Sequence, residues 1–357
     1  MIQVAYISLH ADVVGGGEHS LMELIGNLPD SIHRELILPA EGALLHQAEA
    51  MDVKVHLLPM PRLGIGSLPA LWRWRCFLKA EAFDVLHTNQ SRAAFFSGCA
   101  AVGLKTKVIF HCRIAEGDGV MDRILMRLSD AIICNSRAVA ERFKSYSGKL
   151  QVIYNGVSRA KCDVIDKINL PAGAKLLLFV GRLSAEKQPQ LALQVFEQLA
   201  AEDETLHFAM LGGDDPTAPE FSKSLRDRVS ASRFASRIQM PGVVDNVTAW
   251  YRHASLLLLT SQHEGFGRVL VEAMAEGVVP VAFAVGGVPE VFEDGVQGYL
   301  VDGNNIEMMS HRASELLRDE NLYGQMAERG KLRAAAFSVD AHVHAVTEFY
   351  EEVLRGR

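Results

Sequence analysis

Four charged side chains in two short stretches have the types and spacing to hold an anionic, hydroxyl-rich ligand: Arg182 and Lys187 in one, Glu264 and Glu272 in the other. Arg182 and Lys187 lie five apart in Gly181-Arg182-Leu183-Ser184-Ala185-Glu186-Lys187, a turn beyond an apolar run, so both can converge on one anion. Arginine can engage two phosphate oxygens at once, and lysine acts as a point charge. Two unrelated surface cations would look the same. In the second stretch, Gly265 and Gly267 let the backbone approach a ligand. The helix expected from Arg268 onward offers free N–H groups and the positive end of its dipole. That is an anion site, most simply a phosphate site. Carboxylates beside a phosphate would repel it, so Glu264 and Glu272 must face neutral hydroxyls, which they accept well. A ligand with phosphate in the middle and hydroxylated rings at both ends is a nucleotide sugar. The same two glutamates, taken alone, would also suit a helix N-terminus complemented by acidic residues.

The full stretch resembles the signature of the retaining GT-B glycosyltransferases of family 4. It has Glu264, Gly265-Phe266-Gly267, Glu272 opening Glu-Ala-Met-Ala-x-Gly, then Gly286-Gly287-Val288-Pro289-Glu290. Similar pieces recur from Gly15 to about Phe349: the Gly-Gly-x-Glu loop at Gly15-Gly16-Gly17-Glu18, Asn135-Ser136, Tyr154-Asn155-Gly156-Val157 and Gly181-Arg182-Leu183-x-x-x-Lys187. Gln188-Pro189 stands where the family commonly has glycine, which adjusts the turn and keeps the cations.

The resemblance implies two Rossmann-like doubly wound α/β domains facing a central cleft. Residues 1–165 would form the acceptor side, completed by a helix over 340–357 that crosses back, and residues 172–339 the donor side. It implies a diphosphate held by Arg182, Lys187, the amides of Gly265, Phe266 and Gly267, and the Gly16-Gly17 loop. Glu264 would orient the donor sugar, and Glu272 would accept from the ribose hydroxyls. The segment around Val244 would hold the base through its main chain. The catalytic set would be Glu264, His111, Arg182 and Lys187. Transfer would retain configuration, with the leaving phosphate as base. With no DxD-like acidic pair in a metal-binding context, no divalent ion and no other cofactor is expected to be required. The donor would be a UDP- or GDP-sugar. The acceptor would be a glycan, a lipid-linked sugar or a small molecule, with bacterial surface polysaccharide as one setting. Two rivals keep the same fold: a sugar-nucleotide epimerase or phosphorylase, and a non-catalytic nucleotide- or sugar-binding module. A phosphorylase would need a cofactor-lysine context that is not found, and a binding module would be supported by loss of a motif residue, of which none of the main ones is missing.

Strand-like and helical segments alternate along the chain, which implies parallel sheets covered on both faces, with ligands at the carboxyl ends of the strands. Expected strands are Ile2–Ser8, Arg34–Pro39, Val53–Leu58, Val85–Thr88, Lys107–Ile114, Ala131–Cys134, Val152–Tyr154, Lys175–Val180, His207–Leu211, Ile238–Met240, Ser255–Thr260 and Val278–Phe283. Glycines follow the first strand at Gly15-Gly16-Gly17, and a helix opens at Glu18. Another helix runs from Arg268 with Val269, Leu270, Ala273 and Met274 on one face and Gly277 as its C-cap. Helices are also expected at 306–319, 322–336 and 341–354. His87, Asn89, His111 and Arg113 sit at strand ends, and His10 and Asp118 are further candidates for the same cleft. His111 reads equally as a hydrogen-bonded core histidine and as a ligand-facing group; the resemblance puts a histidine there near the donor sugar. The helix over Leu68–Glu81 holds Trp72-Arg73-Trp74-Arg75 and Lys79. Such a helix can lie on an anionic membrane, or its tryptophans can pack inward. The polar stretch Ser158–Ala174, with Pro171 and Gly173, reads as the linker.

Composition sets the outer limits. A chain of 357 residues suits two domains, and a net charge of −7 argues against a general nucleic-acid binder. Cys76, Cys99, Cys112, Cys134 and Cys162 are scattered and odd in number, without metal spacing, and read as reduced, buried thiols of a cytoplasmic protein. The first residues carry no basic n-region of a signal peptide. The run Ala93–Leu104 is too short to span a bilayer.

Overall fold

The apolar runs fold into two parallel sheets, each the centre of its own unit, in a computed structural model that describes every residue except 14, 63, 65, 66, 159–167 and 357. One unit comprises Met1–Ser158 with Ser338–Arg357, and the other Arg159–Phe337. Most of the expected linker, and Cys162 with it, lies outside the described residues.

The first unit runs β1 (Ile2–Ile7), α1 (Gly16–Gly26), β2 (Ile32–Leu38), α2 (Ala43–Ala50), β3 (Lys54–Leu57), α3 (Leu68–Glu81), β4 (Val85–Thr88), α4 (Ser91–Ala101), β5 (Lys107–Cys112), α5 (Gly119–Leu128), β6 (Ala131–Cys134), α6 (Arg137–Ala140) and β7 (Lys149–Val152). Its strand order is β3-β2-β1-β4-β5-β6-β7, so the winding reverses between β1 and β4. The register there pairs Val4 with Val85 and Ile7 with Thr88. All four residues of β4 are buried, as a strand covered on both faces requires.

The second unit runs β8 (Lys175–Val180), α7 (Pro189–Ala200), β9 (Leu206–Leu211), α8 (Pro219–Ala231), β10 (Ile238–Gly242), α9 (Val247–His253), β11 (Ala254–Leu259), α10 (Arg268–Ala275), β12 (Val279–Phe283), α11 (Val288–Val291), β13 (Tyr299–Val301), α12 (Ile306–Arg318) and α13 (Glu320–Ala334). Its order, β10-β9-β8-β11-β12-β13, reverses between β8 and β11. A last helix, α14 (Val339–Arg355), belongs to the first unit and lays Val343, Val346, Phe349 and Tyr350 into the same core as Val4, Tyr6, Leu21 and Ile109.

Several boundaries differ from the sequence expectation. The strand expected at Val152–Tyr154 ends at Val152, and the ladder runs back to Lys149 instead. It pairs on one side only and all four of its residues are half-buried, so it lacks the apolar signature of an inner strand. The strand expected to reach Ile114 stops at Cys112, and Ile114 is exposed. Helix α1 starts at Gly16 rather than Glu18, because the Glu18 carboxylate reaches back to the Gly15 N–H at 3.1 Å and closes the first turn early. In α10 the buried face uses Val271 rather than Val269, while Gly277 takes the left-handed conformation beyond the helix end at φ 82°. The cysteines are not all buried: Cys112 and Cys134 are, Cys99 is half-buried and Cys76 is exposed on α3. Among the described residues no helix is long and apolar enough to cross a membrane.

Candidate functional site

In the second unit the winding reversal sets the loop after β8 beside the loop after β11. The two are tied together: the Gln262 N–H donates to the Glu186 carbonyl at 2.8 Å, and the Thr260 hydroxyl to the Gln188 carbonyl at 2.8 Å. This brings Lys187 and Glu264 into contact, with Lys187 Nζ 2.7 Å from Glu264 Oε1. The Ser261 hydroxyl donates to the same carboxylate oxygen at 2.8 Å. Both charges are largely covered, at 21% and 12% side-chain exposure, so the pair is shielded more than a surface ion pair. Arg182 shares the β8 loop but does not join this pair. Its Nε is buried and makes no hydrogen bond among the described residues. Its charge helps hold Asp215 below the usual carboxylate range, after the larger effect of the Thr217 side-chain and backbone hydrogen bonds.

Two glycines shape the Glu264 loop. Gly267 is the N-cap of α10 at φ 87°. Gly286 has φ 51°, and a Cβ there would lie 2.0 Å from the Glu264 carbonyl oxygen, which the Gly287 N–H also engages at 3.0 Å. Only glycine fits this approach, so the Gly286-Gly287 turn pins the backbone of Glu264. Phe266 points inward and packs edge-on against Phe337, ring centroids 5.3 Å apart. Its side chain is therefore a core anchor, and only the backbone of the Gly-Phe-Gly turn is left to serve a ligand. Val244 follows β10 and is half-buried, next to the exposed Val243.

Glu272 stands on α10 and is already engaged. Its Oε1 accepts from Arg268 at 3.1 Å and its Oε2 from the Tyr251 hydroxyl at 3.1 Å, with a quarter of the side chain exposed. Arg268 was legible as an i, i+4 partner of Glu272. Tyr251 comes from α9, and no local spacing announces it.

The first unit gathers its candidates at its own reversal. His10 Nδ1 lies 2.9 Å from Glu18 Oε1, and Gln90 donates to the same oxygen at 3.0 Å. Burial works against the Glu18 charge. The hydrogen bond and charge of His10, with the backbone N–H groups of Glu18 and Gly15, outweigh it and leave the pKa below the ordinary value. Gly16 and Gly17 form the first turn of α1, and Gly17 lies near Arg113. Arg113 donates to Asn89 Oδ1 at 3.2 Å and also to Asn155 Oδ1. His87 and His111 are fully buried in β4 and β5 with His87 Nε2 3.1 Å from His111 Nδ1. Asp118 is instead the N-cap of α5, accepting from the Val120 and Met121 N–H groups.

Two other features frame these sites. On α3 Trp74 is buried, whereas Trp72 is 69% exposed and Leu68 64%. One grouping among the described residues has metal-ligand spacing: Glu35, His56 and Glu81, with ligand atoms all within 4.8 Å of one another. The Lys54 ammonium lies 3.4 Å from Glu35 and 3.5 Å from Glu81, so a cation already serves these carboxylates.

Comparison with known proteins agrees with this architecture. The family profile described as glycosyl transferases group 1 matches residues 162–333, and that of glycosyltransferase family 4 matches residues 14–161. The D-inositol 3-phosphate glycosyltransferase of Streptomyces bingchenggensis is 28% identical over 271 residues, which cover 69% of this chain and 59% of that protein. The chain thus spans well under two thirds of that relative's length. An uncharacterized glycosyltransferase of Methanocaldococcus jannaschii is 28% identical, with 99% of each chain covered. Among solved structures, Anabaena HepE in complex with UDP and glucose superposes with a TM-score of 0.85 at 19% identity, covering 99% of this chain and 100% of that one. The shared fold is GT-B.

The depressed Glu18 pKa makes a stability prediction. A carboxylate depressed in the folded state stabilises above its unfolded pKa, and that contribution disappears as pH falls through the folded value. The urea-unfolding advantage of wild type over Glu18→Gln should be full at about pH 5 and shrink below about pH 4. An advantage that stays constant down to about pH 3 would contradict the assignment.

Proposed function

The chain belongs to the family 4 glycosyltransferases, and on that premise we propose that it moves a hexose-type sugar from a UDP- or GDP-sugar to an acceptor hydroxyl with retention of configuration. The observation that carries this reading is the Lys187–Glu264–Ser261 cluster beside an Arg182 whose buried Nε lacks a hydrogen bond among the described residues.

The donor diphosphate takes Arg182 as a bidentate partner and competes with Glu264 for the Lys187 ammonium. The Gly265–Gly267 amides and the N-terminal end of α10 add positive potential. Together these groups stabilise the charge that grows on the leaving diphosphate as the sugar–oxygen bond breaks, which is the service a divalent ion performs elsewhere. Glu264, released from Lys187, accepts from the sugar hydroxyls and fixes the ring. Glu272, held at one oxygen by Arg268 and at the other by Tyr251, accepts from the ribose through its open side. The leaving phosphate takes the proton of the acceptor hydroxyl on the same face. The first unit carries the acceptor side, with His10, Asn89 and Arg113 as its polar groups; His87, fully buried with both ring nitrogens engaged, stands behind them and does not face the acceptor. The acceptor is a glycan, a lipid-linked sugar or a small molecule, with surface polysaccharide assembly as one setting.

A lipid-linked acceptor would suit peripheral membrane contact through α3, where exposed Leu68 and Trp72 stand with exposed Arg73 and Lys79. Trp72→Ser should then bind anionic phosphatidylglycerol vesicles more weakly than wild type in co-sedimentation. Equal binding by the two would contradict it, as would binding by neither.

The nucleotide site is tested by thermal unfolding of wild type and Glu272→Gln with UDP, GDP, ADP and CMP. A ligand at a hundred times its dissociation constant stabilises by about 2.7 kcal/mol, a shift of several degrees. One diphosphate should shift wild type, and the variant should lose most of that shift. Equal shifts in both proteins would remove Glu272 from the site.

A further inference from the structure

Four fully buried side chains of the first unit form one unbroken hydrogen-bonded chain, and its direction can be read from one end. Tyr6 (β1), Tyr350 (α14), His87 (β4) and His111 (β5) are each 0% exposed. The two phenol oxygens lie 3.0 Å apart, the Tyr350 oxygen is 2.6 Å from His87 Nδ1, and His87 Nε2 is 3.1 Å from His111 Nδ1. Arg113 Nη2 also stands 3.2 Å from His111 Nδ1, and a guanidinium can only donate. Nδ1 of His111 is therefore an acceptor. His87 Nε2 faces the same atom and must be a donor, so His87 Nδ1 accepts and takes the hydroxyl proton of Tyr350. A phenol has one proton, so Tyr6 supplies the one between the two tyrosines.

Every member is neutral. Burial pushes the pKa of both phenols up. For both histidines burial, followed by the charge of Arg113, pushes the pKa well below the ordinary value; His342 adds to this at both, and His87 at His111. A neutral His111 that accepts at Nδ1 carries its proton on Nε2. That Nε2 is buried and has no partner among the described residues. A buried donor without an acceptor is destabilising, and a ligand oxygen placed there removes that cost.

We propose that Arg113 and His87 together lock His111 as its Nε2–H tautomer, with Tyr350 as the positioning residue that holds the His87 ring in place, so that the carboxyl end of β5 presents a fixed N–H donor to an oxygen of the ligand. The inference rests on the reading of this protein as an enzyme of hydroxyl-rich substrates. It adds a device: a terminal helix that, through His87, steadies a side chain eight strands away in sequence. An acceptor oxygen is matched by this arrangement, and a group that can only donate is rejected, because His111 offers it no lone pair.

The test is a nitrogen-15 spectrum of the histidine-labelled full chain without ligand, followed between about pH 5.5 and 8, where an ordinary histidine titrates. Wild type should show His111 as a neutral ring protonated at Nε2 throughout. A ring protonated at Nδ1, or one that becomes charged in this range, would overturn the proposal and leave the transferase reading untouched, since no turnover is measured. His87→Gln keeps an acceptor toward Tyr350 and a donor toward His111, and should preserve the His111 signature; its loss there would tell against the relay. Tyr350→Phe leaves the buried His87 Nδ1 without its donor, should free the His87 ring from its fixed place beside His111, and should lower kcat about tenfold or more, with the donor KM near wild type. An unchanged kcat would leave Tyr350 with a packing role only and overturn its assignment. Where a variant fails to fold, the wild-type spectrum decides the tautomer by itself.

Discussion

The direct pairing of the first strand of each sheet with the fourth is the constraint on which both candidate sites depend. Between β8 and β11, as between β1 and β4, the winding reverses, so the helices that follow the two strands leave to opposite sides. Their loops diverge and leave the carboxyl ends open beside each other. Arg182 and Lys187 follow β8, and Glu264 follows β11. Separated by 77 residues in sequence, Lys187 and Glu264 nevertheless meet at 2.7 Å. The apolar strands Lys175–Val180 and Ala254–Leu259 drive that pairing, since neither can leave its backbone and side chains in water.

Electrostatics then decides what the open ends can do. A largely covered ammonium and carboxylate neutralise each other in the free protein, so the site tolerates burial of both charges without a ligand. On the proposed reading, an arriving diphosphate would offer Lys187 a second anion and free Glu264 to accept hydrogen bonds from hydroxyls. The ion pair that ties the two loops in the free protein would then be exchanged on binding. Glu272 behaves differently: Arg268 and Tyr251 hold it from both oxygens, so its position is set before any ligand arrives. In the first unit the same division appears between Glu18, an anion paired with His10, and the neutral His87–His111 pair.

Much of this was legible in the residue order because parallel sheets write long apolar runs punctuated by glycine. The expected bounds of Leu68–Glu81, Val85–Thr88, Ala131–Cys134 and Lys175–Val180 match the observed elements, the three strands because their apolar runs are buried over most of their length and the helix because Pro69 marks its first turn. The edge strand Lys149–Val152 was misplaced because half-buried polar residues carry no such signal. At the sites, Arg182, Lys187, Glu264 and the glycines were found from spacing and from a resemblance to family 4. What could not be found was everything that depends on folding distant segments together. Tyr350 reaches His87 across 263 residues, and Tyr251 reaches Glu272 from a different helix. Nor could residue order show that Phe266 points into the core, or that Gly286 is glycine because the Glu264 carbonyl lies against it.

The exchange of Glu264 from Lys187 to the donor sugar is the step on which the proposed chemistry depends. The measurement is the slow release of nucleoside diphosphate from UDP- and GDP-sugars without acceptor, by wild type and by Glu264→Gln, with thermal unfolding of both as the control for folding. Wild type should release the diphosphate from one donor class, and Glu264→Gln should do so about a hundredfold more slowly while remaining folded, as expected when a group that orients the reacting sugar is lost. Equal release by the two proteins, or none by wild type from any donor, would contradict the assignment.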